Sequence, residues 1–379
     1  MSKRILITGG AGFIGSHTTD KLIEQGHQVR ILDVLDAQVH GAARQIPTYL
    51  NPAAEFIEGD IRDLNILEKA LTDIDVVYHF ASLTGVTQSM KDIHHYTDVN
   101  VTGTAALLDV IVNGHFDIEK IILASSRTVY GEGTYHCPHC QRDFAPELRT
   151  IEQLESGKWE ITCPVCGSLA EARPTREDKL PQPLSIYAEN KRMQEDLLRM
   201  TAETYKIPAV ILRYFNVYGP RQALGNPYTG IAPIFCTRIS AGKPIMMYED
   251  GRPIRDFVHV YDVVQANLKA LDYVGDIVLT ANVGTGEKLT ILDMAQSICD
   301  EMGAERNIEF SGQFRVGDIR GCYADLSRIR TALGYEPTVT FQQGIAELIQ
   351  WVGATTPQTD TYETAVQAME KSGLMRRMH

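Results

Sequence analysis

Short apolar runs alternate, over the first two hundred residues, with stretches whose apolar positions recur at helical spacing. Arg4-Ile5-Leu6-Ile7-Thr8 reads as a buried strand, residues 16–25 as a helix, and Gln28-Val29-Arg30-Ile31-Leu32-Asp33 as a second strand. The rhythm continues with strands at 54–58, 76–81 and 120–126, a helix from Tyr187 to Tyr205, and a sixth strand at 209–213. Strands alternating with helices imply a parallel, doubly wound sheet. Residues 100–112 are apolar nearly all round, which predicts a helix buried on more than one side, its extra face expected to meet a second subunit. Beyond residue 215 the order loosens into a smaller lobe. The polar stretch from 353, closing on Arg376-Arg377-Met378-His379, reads as a loosely attached tail.

The first turn carries chemistry. Gly9-Gly10-Ala11-Gly12-Phe13-Ile14-Gly15 stands between a strand and a helix, the context in which a glycine loop binds a pyrophosphate at a helix N-terminus. Gly9 would allow the tight turn, Gly12 the approach of backbone to phosphate, and Gly15 close packing of helix on strand. Asp33 ends the second strand; its carboxylate can accept from a ribose diol and would repel a 2′-phosphate, which favours NAD over NADP. Asp60 and Ile61 follow the third strand, where an adenine could be held. His79 reads as a satisfied strand-end residue.

Ser125-Ser126-Arg127-Thr128-Val129-Tyr130-Gly131 closes a hydrophobic strand, and in parallel sheets ligands gather beyond the carboxyl ends of strands. Tyr187 and Lys191 lie four residues apart and so share a helix face. A neighbouring ammonium favours a phenolate and is expected to lower the tyrosine pKa towards the range of a usable acid or base. Between these two stretches fall Cys137-Pro138-His139-Cys140 and Cys163-Pro164-Val165-Cys166, separated by twenty-two residues. Paired C-x2-C knuckles predict zinc held by Cys137, Cys140, Cys163 and Cys166, with His136 or His139 replacing one cysteine as the alternative. Four thiolates leave no open position, so the metal would be structural.

The bulk composition narrows the partners. A chain of 379 residues with 44% hydrophobic positions suffices for a nucleotide-binding core and a second lobe, and a formal charge of -12 argues against a nucleic-acid binder. A phosphate-bearing substrate then needs local donors, for which Arg255, Arg315 and Arg320 are candidates. No run of about twenty apolar residues is present and no signal-peptide core precedes the first strand, so no membrane association and a cytoplasmic location are expected.

Taken together, Thr8 to Gly15, His79-Phe80-Ala81, Asn100, Ser125 to Gly131, Tyr187 to Lys191 and Arg213 to Pro220 resemble the extended short-chain dehydrogenase/reductases. Within them the chain resembles the nucleotide-sugar epimerases of the UDP-galactose 4-epimerase type. The stretches 85–90 and 226–235 look more like a group associated with dTDP-L-rhamnose 4-epimerization. The resemblance spans residues 3–352 apart from the cysteine insertion. It implies catalysis by Ser126, Tyr187 and Lys191. It also implies NAD held by Gly9, Gly12, Phe13, Ile14, Gly15, Asp33, Asp60, Ile61, Phe80, Ala81, Asn100, Tyr187, Lys191 and Tyr214. A nucleotide sugar would meet Thr84, Ser126, Arg127, Thr128, Asn216, Tyr228, Tyr248, Arg255, Arg315, Asp318 and Cys322, the last controlling room around the sugar. A homodimer paired through the helices beginning near Asn100 and Tyr187 is implied as well.

The expected architecture is therefore α/β. A Rossmann-type sheet domain over 1–215 is interrupted by a zinc-knuckle insertion at 134–180 that should lie near the sugar site. A nucleotide-sugar-binding lobe over 216–352 follows, part of it returning to the sheet, and then the tail at 353–379. The expected reaction is epimerization at C4 of a UDP-hexose or dTDP-L-rhamnose, through a 4-keto sugar reduced again on its other face. Arg127 and Thr128 stand where related 4,6-dehydratases carry an acidic pair, and neither can act as a carboxylate base, which disfavours dehydration. The alternatives are a dehydratase, decarboxylase or net oxidoreductase on the same scaffold, or an idle NAD-binding protein whose zinc module recruits a partner.

Overall fold

The computed structural model describes residues 2–114, 116–226, 230–355, 360 and 362–378. Seven parallel strands form the central sheet: β1 (Arg4–Thr8), β2 (Gln28–Asp33), β3 (Glu55–Glu58), β4 (Val76–His79), β5 (Lys120–Ser126), β6 (Ala209–Tyr214) and β7 (Val278–Val283). Their order is β7-β6-β5-β4-β1-β2-β3, and every adjacent pair is parallel. Alternation along each strand separates two cores. Ile5, Ile7, Tyr78, Ile122, Val210 and Leu212 point to one face, and Leu6, Val77, Ile121, Leu123 and Ile211 to the other. The chain order reverses at β1, between β4 and β2, and a crevice opens there beyond the strand ends.

Two additions stand on this core. Residues between β5 and β6 include a three-stranded antiparallel sheet (Thr134–Cys137, Arg142–Phe144, Glu171–Arg173) and the short helix Ile151–Glu155. After β6, the helices Ile231–Ser240, Ile291–Glu301 and Phe341–Ala354 enclose a third core of Phe235, Cys236, Met247, Phe257, Met294, Ile298 and Leu348.

The buried stretch near residue 100 is a π-helical turn, Asp98–Thr102, running into the helix Gly103–Asn113. The C-terminal stretch differs from the loose tail expected of its composition. It forms a helix, Tyr362–Lys371, and a strand, Met375–Arg377, which pairs antiparallel with Gln313–Arg315. Ala365, Met369 and Met375 are buried. A narrow stripe spaced four residues apart is enough to dock a short helix, and four-residue spacing is easily lost in a polar sequence. Among the described residues no helix is long and apolar enough to cross a membrane.

Candidate active site

A cleft of about 540 Å³ opens at the carboxyl ends of β1, β2 and β4. Gly9, Gly12, Phe13, Ile14, Gly15, Asp33, Asp60, Ile61, Phe80 and Ala81 all line it, with Thr84 at one end and Tyr187, Lys191 and Tyr214 at the other. Two glycines are required by contact. At Gly9 (φ +71) a Cβ would fall 2.7 Å from the Ala81 nitrogen, and at Gly15 it would fall 2.5 Å from the Gly9 carbonyl oxygen. Helix Phe13–Glu24 starts at Gly12 with no side-chain cap, so its first N–H groups face the cleft. Asp33 accepts from the Ala11 and Leu35 amides at 3.0 and 2.9 Å, which orients a carboxylate that burial pushes above its usual pKa. A glycine cradle, a helix N-terminus and an oriented acid at the second strand fit a dinucleotide.

Asn100 does not reach this cleft as a wall residue. Fully buried, it accepts from the Leu83 amide at 2.8 Å and donates to the Leu83 carbonyl at 3.1 Å, holding the loop after β4. His79 bonds Thr8 and Thr104 at 2.9 and 2.8 Å, and burial keeps it neutral with a pKa of about 3.

Ser126 ends β5, and Tyr187 and Lys191 come from the helix Ile186–Tyr205, started by the Ser185 cap on the Ala188 amide. Lys191 Nζ donates to the Ala124 carbonyl at 2.9 Å and lies 6.0 Å from the Tyr187 ring centre. Burial pushes the Tyr187 phenol up to about 12 against the pull of its hydrogen bond to Ser126 and of the Arg127 charge. Lys191 is itself brought down by burial to about 7, with Glu195 acting the other way. The expectation that Lys191 lowers the Tyr187 pKa is thus not met. Desolvation dominates at the phenol, and the Lys191 ammonium is turned to the Ala124 carbonyl and is itself disfavoured by burial. Behind the trio, Glu195 accepts two bonds from Arg213 at 2.9 and 2.7 Å and one from Ser125.

A second cavity of about 680 Å³ adjoins the first, sharing Val86, Asn216 and Ile231. Arg127, Thr128, Tyr248, Arg255, Arg315 and Asp318 line it. Arg255 bonds Asp318 at 2.8 Å. Among the described residues Arg127 makes no side-chain hydrogen bond, and burial beside Arg255 lowers its pKa to about 10. The buried Asn216 Oδ1 and Arg315 Nε are also unpartnered among the described residues. Three cations with spare donors suit a diphosphate. Cys322 departs from expectation: it lies outside the lining, 1% exposed, with Sγ 3.6 Å from the Thr175 hydroxyl. Arg320 is likewise no phosphate donor. It is consumed by Asp250, Glu249 and Glu160. Tyr228 lies outside the described residues.

Sequence reasoning placed the insertion near the sugar site but named no residue in three parts of this second cavity. Leu148, Arg149, Thr150 and Ile151 come from the insertion, Met246 and Met247 from the smaller lobe, and Tyr362, Ala365, Met369 and Leu374 from the C-terminal segment. The ligand atoms of Cys137, Cys140, Cys163 and Cys166 lie within 4.8 Å of one another, with sulfur pairs at 3.5 and 3.9 Å. Tetrahedral thiolates about 2.3 Å from a zinc ion would stand about 3.8 Å apart, so the set fits that metal. His136 bonds Asp143 at 2.6 Å, and neither it nor His139 belongs to the cluster.

The NAD dependent epimerase/dehydratase family model matches residues 5–152 and 161–284. The dTDP-L-rhamnose 4-epimerase of Burkholderia thailandensis is 37% identical over 353 residues, covering 92% of this chain and 95% of the relative. A solved UDP-N-acetylglucosamine 4-epimerase from Methanobrevibacter ruminantium, in complex with UDP-N-acetylmuramic acid, aligns with a TM-score of 0.76 at 29% identity over 94% of this chain and 99% of its own. The UDP-glucuronic acid 4-epimerase of Bacillus cereus, in complex with UDP-glucuronic acid and NAD, aligns with a TM-score of 0.75 at 29% identity over 93% and 99%. With the glycine cradle, the Ser126, Tyr187 and Lys191 constellation and these likenesses together, the chain belongs to the NAD-dependent epimerase/dehydratase family.

Proposed function

We propose that this protein is an NAD-dependent nucleotide-sugar 4-epimerase acting on a UDP-hexose or dTDP-L-rhamnose. The observation that carries the reading is a serine, tyrosine and lysine gathered beside the dinucleotide cleft, with Arg127 and Thr128, and no carboxylate, next to Ser126. Bound NAD would take the hydride from sugar C4 and return it to the opposite face. With the cationic oxidised cofactor bound, which would favour the phenolate, Tyr187 would start as the phenolate, take the C4 hydroxyl proton while C4 is a ketone and give it back, so the chain ends each cycle as it began. Ser126 would orient that hydroxyl, and Lys191 would fix the ribose end of the cofactor. Arg255 and Arg315 would grip the diphosphate and leave the sugar free to turn between them and the cleft.

Structural zinc on the four cysteines and a homodimer through the exposed sides of Gly103–Asn113 and Ile186–Tyr205 belong to the same reading, the latter supported by Met193 and Met200, 39% and 58% exposed on the second helix. The test is proton NMR of the purified protein with UDP-glucose, UDP-N-acetylglucosamine, UDP-glucuronate and dTDP-L-rhamnose in separate tubes. A C4 epimer at constant total sugar supports the reading and names the substrate. NADH rising with product would favour the net oxidoreductase instead.

A further inference from the structure

The C-terminal segment does more than pack. Its strand Met375–Arg377 is paired with Gln313–Arg315, the strand that ends in one of the cavity arginines, and the Val316 amide donates to the Leu374 carbonyl at 2.9 Å. Its helix begins at Tyr362, whose hydroxyl donates to the Tyr248 hydroxyl at 2.7 Å while the two rings stack, 6.5 Å apart and 22° from parallel. This pair is sandwiched between guanidinium groups. Arg238 stands 4.4 Å from the centre of the Tyr362 ring, and Arg315 stands 5.0 Å from that of Tyr248. Arg238, 3% exposed, is fixed by Asp360 and Glu363 at 3.3 and 2.9 Å. A four-membered stack therefore runs from the smaller lobe, through the C-terminal helix, to Arg315.

Between this stack and the rest of the fold there is open space. Arg127 follows Ser126 in sequence, acts on the Tyr187 phenol and has Arg255 beside it, and both arginines line this cavity together with Ala365, Met369 and Leu374 of the C-terminal segment and with Met246 and Tyr248. The lining is cationic beside the reacting groups, and the C-terminal segment adds apolar and aromatic surface to it. A nucleoside diphosphate sugar has the same polarity, with the base and ribose farthest from the reacting sugar.

We propose that the C-terminal helix forms the nucleoside subsite, and that Tyr362 is a positioning residue that sets the Tyr248 ring and, through it, the Arg315 guanidinium for the diphosphate. The inference rests on the nucleotide-sugar reading. It adds a wall built by residues well beyond the catalytic groups in sequence. Contacts with ring edges and methyl groups tolerate either pyrimidine, and the methyl-rich wall would accept the extra methyl of thymine.

The test is titration of NAD-loaded protein with UDP and with dTDP by calorimetry, which needs no turnover. Tyr362→Ala should weaken both by about tenfold or more, and Ala365→Phe, which fills the space from the same helix, should do so without touching the stack. In Tyr362→Ala, KM for the sugar nucleotide should rise while kcat stays within about twofold, with NAD content unchanged. Tyr362→Phe, keeping the ring, should retain most of the affinity. Unchanged UDP and dTDP affinity in both variants, or a fall in kcat at constant affinity, overturns the proposal. Weakened nucleotide binding in a protein that epimerizes none of the four sugars would leave the subsite standing and remove the epimerase reading. A wild-type protein that binds neither nucleotide removes both.

Discussion

Replacing Arg149 with methionine should unsettle the protein through a single buried carboxylate. Arg149 meets Glu249 in two parallel bonds of 2.7 and 2.9 Å, and the side chains are 2% and 3% exposed. It also donates to the Trp159 and Asp318 carbonyls at 3.1 and 3.0 Å. Removing one partner of a buried ion pair costs about 3–5 kcal/mol, because the other charge stays desolvated. Arg320, 3.3 Å from Glu249, remains as a partial counter-ion, so the low end of about 3 kcal/mol applies. Unfolding entropy of about 2.1 cal/mol/K per residue makes that a loss of roughly 4 °C in melting temperature for a chain of 379 residues.

The pH dependence identifies the cause. Burial, opposed by Arg149, already holds the Glu249 pKa above its ordinary value. Its desolvation penalty is therefore present above the folded pKa and relieved as pH falls through it. Without Arg149 that pKa rises further, so the deficit of Arg149→Met relative to wild type should be largest at pH 8 and narrower at pH 5.5. Thermal melts of wild type, Arg149→Met and Arg149→Met/Glu249→Gln at both pH values measure it, and the double variant should recover part of the loss at pH 8. Equal melting temperatures at pH 8, or a deficit that widens at pH 5.5, would refute the reasoning.

Tyr187→Phe should lower turnover by about 10²–10⁴-fold while the purified protein keeps its NAD, read by product NMR and by cofactor released on denaturation. Lys191→Met should abolish turnover yet raise the melting temperature at pH 7. The folded lysine releases its proton above about 7 and the unfolded one only above about 10.4, so wild type regains stability as pH climbs between those values and the gap should close by pH 10. A Lys191→Met protein less stable than wild type at pH 7 would contradict the buried-charge account. Cys137→Ser/Cys140→Ser should purify without the one zinc per chain expected of wild type, measured by elemental analysis, and should show a raised KM; zinc retained at full stoichiometry would exclude the four-thiolate site.

What could be read from the sequence was local, and what could not was assembled from far apart. Gly9 to Gly15, Tyr187 with Lys191, and the two cysteine pairs each hold their partners within one turn or loop, so spacing alone proposes a geometry. The second cavity has no such signature. Arg149, Tyr248, Arg315 and Tyr362 meet only because three separate excursions from the sheet converge. Cys322 shows the limit of counting from a motif: its distance from Arg315 is fixed by the sequence, but its thiol is buried against Thr175 and outside the lining. The lysine–tyrosine pair shows another limit. Spacing brought the groups to one helix face, but the sign of the pKa shift was decided by burial, which spacing does not report.

The two additions to the core share a physical logic. The knuckle module buries few large apolar groups of its own, chiefly Tyr135, Leu154 and Ile161, too little for a stretch of that length to stay ordered by apolar burial alone. It is held instead by its thiolate cluster and by ions that belong partly to the other lobe: Arg149 with Glu249, Arg320 with Glu160, and Glu132 on the Arg320 and Gly321 amides at 2.7 Å. The C-terminal strand then reaches the same module through Arg376 and Glu155 at 3.3 Å. Every one of these ties lands near Asp318 and Arg315, at the end proposed for the nucleotide, and none on Ser126, Tyr187 or Lys191. Loosening either addition should therefore change how tightly the nucleotide sugar is held and leave the proton and hydride steps as they were. For that reason the zinc and C-terminal variants are expected to move KM, and Tyr187→Phe to move kcat.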